Sequence, residues 1–345
     1  MKKFDFAIIG AGASGLMAAV KLSEKGKKVA VLDGNAKIGK KLLATGNGKC
    51  NLCNRNIQRD FFHGDVDLIE NILKENSCSN IEHEFHKIGI MTTADEQGRV
   101  YPKSFQAQAV VKAFSDVLLE NNVEVFLNFK AVNAKKENGF FTVFSENSQK
   151  IICKNLIIAS GSKASSKHGC GDEIFEIIKS FGHSLTELSP ALVSFKISDK
   201  FLKNLSGVRS KVTAKLICEN KEIYGESGEI IFSEKGISGI CIFNLSSYIK
   251  RGKKHKLLID LMPEMDENKV FSDILSITKN RPSMRVSELL NGIINMKLGF
   301  SIVRKIGLNI DKTADTLSKN DIQNISKTLK NLSFNIEDLG DFDSA

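Results

Sequence analysis

Three glycines and one acid carry the clearest chemistry in this sequence. Gly10, Gly12 and Gly15 stand as G-A-G-A-S-G, and Asp33 follows eighteen residues after Gly15. Such a turn brings main-chain amides up to a pyrophosphate. Gly10 permits the tight turn, Gly12 the close approach of backbone, and Gly15 the packing of a following helix against its strand. The start of that helix offers free N–H groups and a positive dipole end to the phosphates. Asp33 is placed to accept hydrogen bonds from both hydroxyls of an adenosine ribose, and an acid there disfavours a 2′-phosphate. The pattern therefore points to FAD or NAD rather than NADP as the resident dinucleotide.

Other reactive types are sparser. Cys50 and Cys53 form a single C-x-x-C, which is either a redox dithiol beside a flavin or two neighbouring thiols. Zinc needs two more ligands, and no second C-x-x-C or H-x-x-x-H accompanies them. His83 and His86 are three apart with no carboxylate pair at metal spacing, so no metal site is expected. His183 reads as a structural hydrogen-bonding residue, and His168 is the one histidine placed near a flavin, as a proton donor. No nucleophile elbow, P-loop or HExxH occurs.

The elements that must hold these residues are legible around them. Residues 4–10 (FDFAIIG) are a short apolar run suited to a buried parallel strand, and LMAAVKLSEKG continues as a helix with Leu16, Ala19, Val20 and Leu22 on one face. Gly26 ends that helix, and KKVAVLD is the second strand, closing on Asp33. A plain NAD dehydrogenase would go directly to another helix. Instead residues 34–54 (GNAKIGKKLLATGNGKCNLCN) are rich in Gly, Lys and Asn, as an extended cofactor threading across the sheet would require; this favours FAD. A length of 345 residues is too great for one ordinary core and implies two domains. The 42% hydrophobic and 26% charged content belongs to a folded protein rather than a disordered one. No apolar run is long enough for a membrane span, and Asp5 with the glycines excludes a signal peptide, so a cytoplasmic protein is expected. Seven scattered cysteines do not make a disulfide framework. The net charge of +9 permits nucleic acid as a partner without requiring it, and the run Arg251–Lys256 reads as a solvated hairpin tip.

Taken together, GAGASGLMAA (10–19), GKKLLATGNGKCNLCN (39–54), GRVYPKSFQAQAVVKAF (98–114), the 156–195 segment beginning LIIASGSKASS, LSGV (205–208) and GEIIFSEKGISGICIFNLS (228–246) resemble the BaiN/RdsA-type flavoproteins, also called YhiN-like or aminoacetone-oxidase-family FAD enzymes. The resemblance covers nearly the whole chain. It implies an α/β protein: a Rossmann-like FAD-binding domain with an inserted β-rich plus helical domain on the substrate side. The family's FAD contacts map onto Gly10, Gly12, Ala13, Ser14, Gly15 and Asp33, then Lys40, Lys41, Gly46, Asn47, Gly48, Lys49, Cys50 and Asn51. The strand KNLIIASG adds Ala159, Ser160 and Gly161, and Val132 is expected on the adenine side. Relatives keep the first cysteine of the C-x-x-C but not the second, which favours neighbouring thiols; Cys50 stays with His168 as a catalytic candidate. This chain also departs from the family at Ser160-Gly161-Ser162 and at Gly169-Cys170-Gly171-Asp172.

The expected boundaries are 1–190 for the FAD-binding domain and 191–332 for the insertion, β-rich over 191–261 and helical over 266–332. LVSFKI, KVTAKLICEN, EIIFS, ICIFNLS and KLLIDLM read as strands, and Val270, Ile274, Leu275, Leu289, Leu290, Ile293 and Ile294 as helical. Family members continue beyond GDFDSA into a segment that returns to the FAD domain, so that return is expected to be missing after 333–345: either the chain is a truncated or split product, or a partner chain supplies the remainder. The function implied is hydride transfer between NAD(P)H as a transient donor, flavin and a small organic substrate. The competing readings are a catalytically silent flavin-binding fragment, a nucleic-acid-modifying flavoprotein and a plain NAD dehydrogenase. Nucleic acid is not the expected partner, because aromatic stacking residues are sparse and tryptophan is absent.

Overall fold

The apolar run after Lys2 becomes β1 (Lys3–Ile9), whose last three residues are buried because both of its neighbours are strands. The computed structural model describes residues 2–165, 173–250 and 252–345, divided into two units, Met1–Glu187 and Leu188–Ala345. His168, the Gly169–Asp172 run and Arg251 lie outside the described residues.

In the first unit, α1 (Ala13–Glu24) buries Gly15, Leu16, Ala19 and Val20, and it leads to the fully buried β2 (Val29–Leu32). A small sheet follows, made of β3 (Cys53–Asn54), β4 (Thr92–Ala94) and β5 (Arg99–Pro102), with β5 central. Between β3 and β4 lie two ten-residue helices, α2 (Val66–Glu75) and α3 (Cys78–Lys87). α4 (Ala107–Glu120) packs Val110, Phe114 and Leu118 into the core and precedes the edge strand β6 (Glu124–Phe126). A three-strand meander, β7 (Ala131–Glu137), β8 (Phe140–Ser145) and β9 (Lys150–Ile158), then ends parallel to β1, and α5 (Glu173–Ser180) follows. The sheet order is β6-β2-β1-β9-β8-β7, with β6, β2, β1 and β9 parallel. β1 thus has β2 on one side and β9 on the other. This is the switch point where open α/β sheets form a crevice beyond their strand ends.

The second unit is one antiparallel sheet in the order β15-β14-β11-β12-β13-β10-β16. Its strands are β10 (Phe195–Lys196), β11 (Arg209–Cys218), β12 (Lys221–Ser233), β13 (Gly236–Ser238), β14 (His255–Asp260), β15 (Leu332–Ile336) and β16 (Asp338–Leu339). Its α-helices among the described residues are α6 (Ile240–Ser246), α7 (Glu267–Asn280), α8 (Met296–Lys305) and α9 (Lys319–Lys330). Phe195, Phe232, Phe334, Leu202 and Leu205 are among its fully buried side chains.

Three expectations for this unit change. ICIFNLS is not a strand but α6: Gly239, at φ +121, turns the chain out of β13, and the four-residue apolar run buries as a helical face through Cys241, Ile242 and Leu245. A short apolar run cannot by itself distinguish the two. Leu289 to Ile294 are not helical; they form turns closed by bonds such as Ile293 N–H to the Leu290 carbonyl, with Leu289 and Leu290 buried. The lysine-rich run joins α6 to β14 rather than two strands, and its His255 is buried, held by Lys250 N–H and the Lys253 carbonyl. Residues 332–339 close this unit's own sheet, β15 pairing with β14 and β16 with β10. Among the described residues no helix is long and apolar enough to cross a membrane.

Candidate functional site: the cleft at the strand ends

Because β1 and β9 run parallel and in register through Ile9 and Ile158, the turns after them lie side by side. Together they open a cleft of about 640 Å³, whose lining includes Gly10, Gly12, Ala13 and Ser14 from one turn and Ala159, Ser160 and Gly161 from the other. The three motif glycines answer three different constraints. Gly10 has φ +109, and a Cβ there would lie 2.4 Å from the Ala159 carbonyl oxygen. A Cβ on Gly15 would lie 1.9 Å from the Gly10 carbonyl oxygen, so Gly15 serves the packing of turn on helix and does not line the cleft. Gly12 has an ordinary extended backbone, and a Cβ on it would meet nothing within 4 Å. The fold does not need a glycine at that position; what the missing side chain leaves free is the cleft. Gly12 is also the N-cap of α1, and no side chain caps that terminus. First-turn N–H groups of this kind are open to an anion.

Asp33 stands at the end of β2, half-buried, with both carboxylate oxygens engaged. Ala11 N–H donates to Oδ2 at 2.6 Å, and Asn35 donates to Oδ1 from its main-chain N–H at 2.8 Å and its side-chain amide at 2.9 Å. These bonds fix the carboxylate toward the cleft. Oδ2, with one donor, keeps acceptor capacity for a ribose hydroxyl. The Asp33 carbonyl accepts from Phe129 N–H at 2.8 Å, which brings Phe129, Lys130 and Ala131 to the same wall. Lys130 pairs with Glu173 of α5 at 2.7 Å. Their mutual hydrogen bond raises the lysine pKa and lowers that of the carboxyl.

The glycine-rich excursion supplies the remaining wall, in part. Lys40, Lys41, Leu42, Thr45 and Asn51 line the cleft, and Lys41 Nζ donates to the Ala164 carbonyl at 2.7 Å. Gly46, Asn47, Gly48 and Lys49 are exposed residues at the tip of a 3-10 turn and do not line it. Cys50 is 1% exposed in the core of the first unit, where burial pushes its thiol pKa up. It is not among the residues that line the cleft, and buried thiols of raised pKa hold little thiolate. Nor does it pair with Cys53, which is joined by a disulfide to Cys78 at the start of α3. Val132 is 39% exposed and lies at a bulge where the register passes from Ala131 to Asn133; the cleft takes Ala131 instead. Phe129, Lys130, Glu173 and Ile174 are cleft residues that sequence reasoning missed.

The signature of the HI0933-like protein Rossmann domain matches residues 4–329. The chain belongs to the HI0933-like family. A 3-dehydro-bile acid delta(4,6)-reductase of Clostridium scindens is 30% identical over 345 residues, covering 98% of this chain and 84% of that protein. A ribosomal RNA dihydrouridine synthase of Haemophilus influenzae is 26% identical over 324 residues, covering 92% and 78%. Among solved structures, Thermovibrio ammonificans THI4 is similar at 16% identity and a TM-score of 0.35, over 71% of this chain and 80% of that one. As a member of the HI0933-like family the protein carries that family's Rossmann domain.

The cleft of this HI0933-like chain fits a dinucleotide such as FAD on its own geometry. Gly12 leaves room beside an uncapped helix N-terminus, Asp33 is held ready as an acceptor, and Phe129 and Ala131 add apolar surface along the same wall.

Proposed function

We propose that this HI0933-like protein holds FAD across the cleft, takes hydride from NAD(P)H and reduces a small organic substrate. The observation that carries the reading is Gly12, a glycine that neither φ nor packing requires, at an uncapped helix start. In this reading the N–H groups of Ala13 and Ser14 bind the pyrophosphate and Asp33 orients the adenosine ribose. Phe129 and Ala131 flank the adenine side, and Lys41, Thr45 and Asn51 serve the segment leading to the flavin. The Asp33 carboxylate repels a 2′-phosphate at that position, which suits FAD there, and either nicotinamide donor docks elsewhere. Bound flavin supplies the hydride chemistry, and the protein supplies orientation and exclusion of water.

The names of the two relatives above, a delta(4,6)-reductase and a dihydrouridine synthase, both describe addition of hydrogen. We extend this to reduction of an activated carbon–carbon double bond, with NAD(P)H giving the hydride and solvent the proton. RNA is the second reading for the substrate, favoured by the dihydrouridine synthase names and the +9 charge. The test is anaerobic reduction of the flavin-loaded protein by NADH and by NADPH, followed by reoxidation with small α,β-unsaturated ketones or with uridine-containing RNA. Bleaching of the visible flavin band by one donor and recovery with an enone is expected. Failure of both donors with flavin bound overturns the nicotinamide step, and recovery with RNA alone replaces the small substrate.

A further inference from the structure

The second unit holds a separate concavity of about 1210 Å³ between α8, the 199–206 segment and residues 287–291. Its charge is one-sided. Lys200 and Lys203 stand three apart on the 199–206 segment, while Lys297 and Arg304 stand seven apart, two helical turns, on one face of α8. None of these four makes an ion pair among the described residues, although Arg304 lies over the Phe300 ring at 5.8 Å. Elsewhere many lysines are answered locally by a carboxylate, as Lys269 by Asp273, Lys215 by Glu222 and Lys253 by Glu219. Within the concavity Asp199 is already committed, accepting from Lys305 Nζ at 3.0 Å and from Phe201 N–H at 2.8 Å. Lys305 in turn lies over the Phe201 and Phe334 rings, so this pair belongs to the wall. That leaves Glu288 as the one other acid against four unanswered cations.

We infer that this concavity is a binding site for a phosphorylated small molecule, of the diphosphate or bisphosphate class. One carboxylate on a ligand would neutralise one of the four cations, whereas a diphosphate brings several negative charges and many acceptor oxygens into one bowl. The rim adds hydroxyl donors at Ser206, Ser287 and Ser301, which suit phosphate oxygens. Phe300, half-buried on the same α8 face as Lys297 and Arg304, offers an apolar surface to the organic part. Cations brought to one concavity from two separate segments, 199–206 and α8, suit a compact anion. A nucleic-acid strand would instead favour a longer track with several stacking rings. The inference is independent of the dinucleotide cleft, since every residue in it belongs to the second unit.

The test is titration calorimetry of the flavin-loaded full chain with inorganic pyrophosphate, fructose 1,6-bisphosphate and a short single-stranded RNA, at low and moderate salt. Pyrophosphate or the bisphosphate should bind with a Kd below roughly a millimolar and weaken as salt rises. The double variant Lys203→Ala/Lys297→Ala should lose about tenfold in affinity. The control Lys211→Ala/Lys319→Ala, which removes equal charge from exposed positions of the same unit, should bind as the parent does. All proteins should keep the same flavin content and melting curve. Absence of binding by both small anions overturns the proposal. So does equal loss in the control, which would mark a general charge effect, and so does binding of RNA alone.

Discussion

Replacing Gly12 by alanine separates the demands of the ligand from those of the fold. The new Cβ would meet nothing within 4 Å, and the backbone at φ −85 and ψ −172 is open to any residue. The cost to the unliganded protein is that of a poorer N-cap, about 0.5 kcal/mol. For the first unit that lowers the melting temperature by about 1–2 °C. In the liganded protein the methyl group stands where a phosphate oxygen must come within about 2.9 Å of a first-turn N–H. Losing one charge-assisted bond costs roughly 1.5–3 kcal/mol, which is roughly 10- to 150-fold in FAD affinity. Gly15→Ala is the opposite case: its Cβ would lie 1.9 Å from the Gly10 carbonyl oxygen, so the turn itself must move. Overpacking of this kind costs about 1–3 kcal/mol or more before any ligand is added. Thermal melts of the apo proteins and FAD titrations by fluorescence quenching give both quantities. If Gly12→Ala took up FAD within about twofold of the parent, the pyrophosphate would not lie beside Gly12 and the cleft assignment would fail. A large loss of apo stability in that variant would instead mean that the space beside Gly12 is not open.

Three further outcomes follow from single contacts. Asp33→Ala removes the acceptor for Ala11 N–H and Asn35 N–H and should weaken FAD binding by roughly 10- to 100-fold, with Asp33→Asn in between, read by the same titration. Reducing Cys53–Cys78, or replacing Cys53 by serine, opens a covalent loop with a sequence separation of 25, a change of about 3.5 kcal/mol in chain entropy. Limited proteolysis should then cut within residues 55–77 faster, and an unchanged cutting rate would show that the cross-link does not tether that segment. Glu82 is held below its ordinary pKa of 4.5 by hydrogen bonds from Arg55 and then Thr92. Its stabilisation is therefore full above pH 4.5 and lost as pH falls through the lower folded value, and Glu82→Gln should flatten the acid limb of a melting-temperature profile.

What was legible in the sequence follows contact distance along the chain. The β1–α1–β2 unit, its glycines and Asp33 could be read because the pattern that marks them falls within about two dozen positions, although the close neighbour of Gly10 is Ala159, far along the chain. The walls contributed by Phe129, Lys130 and Glu173 could not, since they depend on β6 pairing with β2 and on β9 returning beside β1. Val132 was placed by its position in related flavoproteins, and the bulge between Ala131 and Asn133 brings Ala131 to the cleft lining instead. The C-x-x-C spacing drew Cys53 toward Cys50, whereas the β3 and α3 geometry gives it Cys78, for which no spacing rule exists.

The segment from Leu42 to Cys50 shows how the same residues serve fold and site together. Gly46, Asn47, Gly48 and Cys50 all have positive φ, and for the two non-glycines that conformation costs on the order of 1 kcal/mol each. Such a tip would relax unless both ends were fixed. Leu42 at one end and Cys50 at the other are buried in the core of the first unit, and Cys50 N–H donates to the Thr45 carbonyl at 3.0 Å across the base. Burying these two pegs recovers about 1.5–3 kcal/mol for the leucine alone, enough to hold the strained tip. Thr45 and Asn51, next to the strain and lining the cleft, are the residues this anchoring positions. Cys50 thus contributes as a small apolar anchor, and the same burial that makes it one raises its thiol pKa.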